Sequence, residues 1–140
     1  MRLWHKALIH VLPKQQLLSQ WRECCCIARN IAVNGTPNHL LVNKVLEYSK
    51  WHFSWYTMLV ITEMRNRGYK VDANRFDKWI DWQEDWKEEF KPEKLFEGWH
   101  NDRYLWQCYY NLQEKYDCGG ITEEEWSRIE QAMLFIREFC

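Results

Sequence analysis

One carboxylate near the amino terminus has no charged partner on its own helix face. Glu23 closes the run Gln15-Gln16-Leu17-Leu18-Ser19-Gln20-Trp21-Arg22-Glu23. The residues three and four positions away from it, Ser19, Gln20, Cys26 and Ile27, offer no basic side chain to pair with it. Its stripe of Gln16, Gln20, Glu23, Ile27 and Asn30 is polar but otherwise uncharged. A lone acid in such a setting is a candidate for proton transfer and for steadying a developing positive charge; the competing reading is a solvated surface glutamate. The other chemistry-bearing types point less far. His5, His10, His39, His52 and His100 contain no pair at the i, i+4 spacing of a helical zinc site, and the six cysteines contain no CxxC pair. Neither a metal nor a cofactor is therefore expected. Cys24, Cys25 and Cys26 are adjacent, which is poor geometry for pairing, and all six cysteines read as thiols, mostly small core residues. His39, in Thr36-Pro37-Asn38-His39, is a loop candidate for the site.

The formal net charge of −1 conceals an asymmetry. Residues 1–80 carry 12 Lys/Arg and 5 Asp/Glu, a net of +7, whereas residues 81–140 carry 7 and 15, a net of −8. A basic amino-terminal half can serve as a polyanion-binding face, or the two halves can simply neutralise each other. On the first reading Arg2, Lys6, Lys14, Arg22, Arg29 and Lys44 are the phosphate contacts. The 23 aromatic rings in 140 residues suit packing and stacking alike. Trp4 and Trp51 are candidates for stacking on or wedging between bases, while rings at helical spacing such as Trp79, Trp82 and Trp86 read as core.

Such groups need rigid elements to hold them, and the apolar spacing is helical throughout. Eight Gly and Pro in total are too few for many short strands. A first helix is expected from near Pro13 to about Val33 on the stripe Leu17, Trp21, Cys24, Ala28 and Ile31, ended by Asn34-Gly35. Thr36-Pro37 reads as a cap and first-turn proline opening a short helix to about Tyr48. A third helix is expected from Lys50 to Arg67, stopped by Gly68. A fourth follows Asp72 on Phe76, Trp79, Trp82, Trp86 and Phe90, ending before Pro92. A fifth spans Asn101 to Asp117, and Thr122 with Glu125 forms a capping box for the last, which runs nearly to Cys140. The expected fold is an all-α, single-domain helical bundle of about five to six helices covering residues 1–140. No apolar run approaches the roughly 20 residues of a membrane span, and no signal peptide is evident, so a cytoplasmic location is expected.

Taken together, these residues resemble the pyrimidine dimer DNA glycosylases, the family of the phage endonuclease V enzymes. Arg2-Leu3-Trp4 matches the family's opening, Gln15, Leu18, Trp21, Arg22 and Glu23 match its first helix, and Met64-Arg65-Asn66-Arg67-Gly68-Tyr69 is similar to a later helix end. The likeness is strong over residues 1–30, fair over 50–72 and weak beyond. It implies a DNA repair glycosylase with abasic-site lyase activity, in which the chain's terminal α-amine is the nucleophile and the helix glutamate the acid/base group. An α-amine titrates near ~7.7–8.0 in peptides, against ~10.4 for lysine, so it is the better nucleophile at neutral pH. Carried over, this places Met1 and Glu23 in the catalytic roles and Arg2, Gln15 and Arg22 among the DNA-facing positions. Arg2, a large second residue, should leave the initiator methionine in place. Two positions depart from the family pattern, Gln16 where it has a histidine and Cys26 where it has an arginine, and these bear on which lesion is recognised. The implied partner is damaged double-stranded DNA, bound by a monomer with no metal and no membrane. The rival readings are a non-catalytic nucleic-acid-binding relative and a helical protein-interaction domain.

Overall fold

Pro13, buried and extended (ψ 154°), hands the chain from a short 3₁₀ helix, Lys6–Val11, into the longest element, α1 (Lys14–Asn34). The structure, a computed structural model, describes residues 1–80 and 90–139. Leu17, Trp21, Cys24 and Ala28 face the core as their spacing predicts, joined by Ile27 and by one polar side chain, Gln20. Gly35 ends α1 in the left-handed region (φ 78°), its N–H bonded to the Ile31 carbonyl. α2 (Lys50–Asn66) buries Phe53, Tyr56, Val60, Ile61 and Met64 against α1. It closes through Gly68 (φ 91°), with the Tyr69 N–H reaching back to the Met64 carbonyl. α3 is short (Asn74–Asp77); α4 (Asp102–Asp117) and α5 (Glu123–Phe139) pack on one another. The caps behave as their residue types require. Asn101 accepts from the Tyr104 N–H, and Thr122 and Glu125 exchange hydrogen bonds at 3.1 Å in both directions. No strand occurs among the described residues, and the fold is all-α.

Two expected helices are corrected. Thr36-Pro37 opens no helix: the Thr36 hydroxyl accepts from the Asn38 N–H only two residues on, and Asn38 takes a positive φ of 56° that a helix cannot contain. The chain turns instead through residues 40–42 into a 3₁₀ helix, Asn43–Glu47. After α3, Trp79 and Ile80 bond to carbonyls three residues back rather than four, so the helix tightens into turns by residue 80. The expected Trp82 and Trp86 positions lie outside the described residues, as does Cys140.

The feature that positions the amino terminus is absent from any helix pattern. Residues 2–4 lie outside any helix, with Leu3 and Trp4 buried, and each of their carbonyls is held by a side chain from a different helix. The Arg2 carbonyl accepts from Gln20 Nε2 of α1 (3.0 Å), the Leu3 carbonyl from the Tyr104 hydroxyl of α4 (2.6 Å), and the Trp4 carbonyl from the Tyr56 hydroxyl of α2 (2.6 Å). The Trp4 N–H in turn donates to Gln20 Oε1 (2.8 Å). Because the Trp4 N–H needs an acceptor and the Arg2 carbonyl a donor, the orientation of the Gln20 amide is set. Leu3, Trp4, Leu8, Ile9 and Leu12 are buried, and the 3₁₀ helix lies against α2 and α5. Arg67 ties down its end, donating to the carbonyls of Leu12 and His10 while paired with Glu63 at 2.7 Å.

Below the arm, His5 and His100 stack at 5.1 Å. His5 Nδ1 accepts from the Ala7 N–H and His100 Nδ1 from the Lys6 N–H, each at 3.0 Å. Burial lowers His5 to about 4 and His100 to about 2, so both rings are neutral in the folded chain.

Two outcomes follow from this anchoring. Replacing Gln20 by Leu leaves the Trp4 N–H and the Arg2 carbonyl buried and unpaired, and stability measured by urea unfolding should fall by about 2–4 kcal/mol. Acid should also unfold the protein early. A depressed histidine binds its proton in the unfolded chain first, so stability is fully present above about pH 6.5 and is lost as pH falls towards 4 and below, at about 1.4 kcal/mol per pH unit for each proton. His100→Asn, which retains an acceptor for the Lys6 N–H, should make the pH dependence of the melting temperature shallower; a slope identical to that of the parent protein would remove His100 from this account.

Candidate active site

Glu23 lies on α1 one turn beyond Gln20, and the Gln20 amide that grips the arm also donates to Glu23 Oε2 (3.2 Å). The same side chain therefore sets both the course of the terminal segment and the position of the carboxylate beside it. Met1 and Glu23 open onto one cleft of about 370 Å³, whose walls include Arg2, Trp4, Gln15, Gln16 and Ser19 from the arm and α1. Leu41 of the loop after α1 and Asn111 and Lys115 of α4 complete it.

The carboxylate is half-buried. Burial pushes its pKa above the ordinary glutamate value, while the chain's terminal ammonium, a hydrogen bond from the Arg2 backbone, His39 and Arg22 draw it back. The terminal charge thus acts directly on Glu23. His39 joins this neighbourhood from the loop, its backbone N–H held by Asn43 Oδ1 at 3.1 Å and its Nδ1 buried without a protein partner. Such a site has a carboxylate whose burial favours its protonated form, the terminal residue of the chain lining the same cleft, and an opening to solvent.

Of the residues singled out in the sequence, Met1, Arg2, Gln15 and Glu23 converge on the cleft. Arg2 is half-buried, its guanidinium 5.4 Å from the centre of the Trp4 ring. Arg22 is exposed at the margin, its guanidinium 3.4 Å from the hydroxyl of Ser19. Arg29 lies two turns further along the same exposed stripe of α1, about 10 Å away by helix rise. Lys6 and Lys14 do not line the cleft. The Lys6 ammonium turns inward to the Leu95 carbonyl (2.5 Å), and Lys14 stands at the start of α1, where its N–H bonds to Glu125. Trp4 is buried as a wall of the cleft, and Trp51 is half-buried on α2.

Sequence reasoning missed Gln20, Asn111 and Lys115. Gln20 carried a faint signal, a glutamine at a position three residues from Glu23 on a stripe that also holds Ile27; the α4 residues carried none, since only the packing of α4 brings them here. Burial raises the thiols of Cys24, Cys25 and Cys108, Cys25 to about 11, which favours the thiol over the reactive thiolate. Among the described residues no group of three His, Cys, Asp or Glu side chains is arranged to hold a metal ion, and no helix is long and apolar enough to cross a membrane.

The family model described as pyrimidine dimer DNA glycosylase matches residues 1–77, a span that takes in the buried arm, α1, α2 and α3 and stops before α4. No curated protein and no solved structure matches the chain. With that match covering more than half of its 140 residues, and with both Met1 and Glu23 inside it, the chain belongs to the pyrimidine dimer DNA glycosylase family.

Proposed function

We propose that the protein excises a damaged base from double-stranded DNA and then cleaves the strand at the abasic site, with the α-amine of Met1 as nucleophile and Glu23 as acid/base. The observation that supports this reading is the shared cleft, lined both by the terminal residue, whose segment is pinned by three helices, and by the half-buried carboxylate of α1. The unprotonated amine attacks the C1′ carbon of the damaged nucleotide, the glycosidic bond breaks, and the base leaves with its bonding electrons and takes up a proton. Opening of the sugar ring gives an iminium between the Met1 nitrogen and C1′. The Glu23 carboxylate stabilises this cation and accepts a proton from C2′, and the C3′–oxygen bond then breaks by β-elimination. Hydrolysis of the iminium frees the amine. Arg2 and Gln15 at the cleft, with Arg22 and Arg29 along the exposed face of α1, are the backbone contacts this reading requires on the family's DNA substrate.

Borohydride reduction in the presence of an abasic duplex should trap a covalent protein–DNA adduct. Acetylating the terminal amine, or extending the chain before Met1, should abolish the adduct; equal trapping by the blocked protein would sink the amine assignment. Glu23→Gln should lower strand cleavage by roughly 10²–10⁴-fold while leaving DNA affinity and its salt dependence within a few-fold of the parent. The Glu23-dependent part of turnover, read as the ratio of parent to Glu23→Gln rates so that protonation of the amine cancels, should fall on the acid side, and because burial raises that carboxyl the fall begins at a higher pH than for an ordinary glutamate.

A further inference from the structure

The loop between α1 and α2 holds an apolar side chain that the core does not use. Leu40 is 89% exposed, the most exposed large apolar residue among those described, and Leu41 beside it is 52% exposed. They stand on a built pedestal. Pro37 and Val42 on either side are buried, and the N–H groups of Val42 and Asn43 both donate to the His39 carbonyl. Asn43 Oδ1 accepts from the His39 N–H at 3.1 Å. Leu41 lines the cleft of Met1 and Glu23 and also a neighbouring cleft of about 240 Å³, which Leu40 joins. Basic side chains flank the pair on both sides, Arg2 and Lys115 in the first cleft and Lys44 and Arg103 in the second.

A nucleotide in a duplex presents its C1′ carbon to a cleft only after the helix is distorted, and unstacking a base step costs a few kcal/mol. An apolar side chain that fills the opened step offsets part of that cost, provided cations on either side hold the phosphates of the bent strand. We propose that Leu40, backed by Leu41, is this wedge: it enters the base stack beside the attacked nucleotide and holds the duplex open while the sugar reaches Met1 and Glu23. The proposal rests on the amine-and-carboxylate reading above and assigns the positioning of duplex substrate to a residue outside the reacting pair. Trp4 is buried in the cleft wall, so the protruding group is aliphatic rather than aromatic.

The test uses the full chain and two probes, an abasic duplex carrying 2-aminopurine in the opposite strand and the same abasic strand alone. Leu40→Ala should reduce the ratio of duplex to single-strand borohydride trapping by tenfold or more and should remove the rise in 2-aminopurine fluorescence on binding. Leu40→Met should restore both. An exposed side chain has no part in the core, so the melting temperature of each variant should match the parent and certify the fold. A trapping ratio and fluorescence unchanged in Leu40→Ala would overturn the wedge while leaving the amine chemistry intact. Parent protein that traps neither probe would overturn the glycosylase reading itself, and the wedge with it.

Discussion

The buried amide of Gln20 is the constraint on which the rest of the site depends. Chain termini ordinarily fray because nothing satisfies their backbone. Here the Gln20 side chain uses its carbonyl for the Trp4 N–H and its two amide protons for the Arg2 carbonyl and Glu23. Tyr104 and Tyr56 complete the hold from two further helices. A segment with three consecutive carbonyls held by side chains of three helices has little freedom to swing, which keeps the terminal residue in the neighbourhood of the cleft it lines. For a reaction whose proposed nucleophile is the terminal nitrogen, that is the placement an enzyme must otherwise impose at the moment of binding.

The same burial governs the electrostatics on both sides of the arm. On its inner side the two stacked histidines are tolerated because they are neutral, each offering Nδ1 as an acceptor to a backbone N–H. Nearer the cleft, loss of water raises the Glu23 carboxyl, and the terminal ammonium, the Arg2 backbone and His39 oppose that rise. A carboxylate caught between desolvation and cations changes protonation readily when the charge beside it changes. In the proposed reaction, conversion of an amine into an iminium moves positive charge within this small volume, and Glu23 is the acid proposed to respond to it.

How much of this was legible before folding depends on how far apart the interacting residues lie. α1, α2, α4 and α5 follow from apolar spacing and from caps that act within four residues, such as Asn101, the Thr122–Glu125 box and Gly35. Thr36-Pro37 failed as a helix start because its hydroxyl found a nearer backbone donor, a competition that spacing does not reveal. What singles out Glu23 in the sequence is local, the lack of a basic residue three or four positions away on its helix. The arm was not legible, since its bonds reach 16, 52 and 101 residues along the chain, to Gln20, Tyr56 and Tyr104. The match of the family to residues 1–77 likewise contains the catalytic candidates but not Tyr104, Asn111 or Lys115, which only the packing of α4 supplies.

The charge asymmetry takes a different meaning in three dimensions. The halves differ in net charge by fifteen, from +7 to −8, yet among the described residues the ion pairs Arg67–Glu63 and Arg128–Glu124 each form within a single helix turn. The two neighbouring clefts draw cations from both halves, Arg2 and Lys44 from the basic one and Arg103 and Lys115 from the acidic one. A potential attractive to phosphate is set by which side chains share a surface, since at physiological ionic strength charges more than about 8 Å apart in solvent are largely screened from one another. The net charge of a sequence segment therefore says little about this site. What matters is that α4, in an acidic stretch, turns both of its basic residues, Arg103 and Lys115, towards the clefts beside the arm.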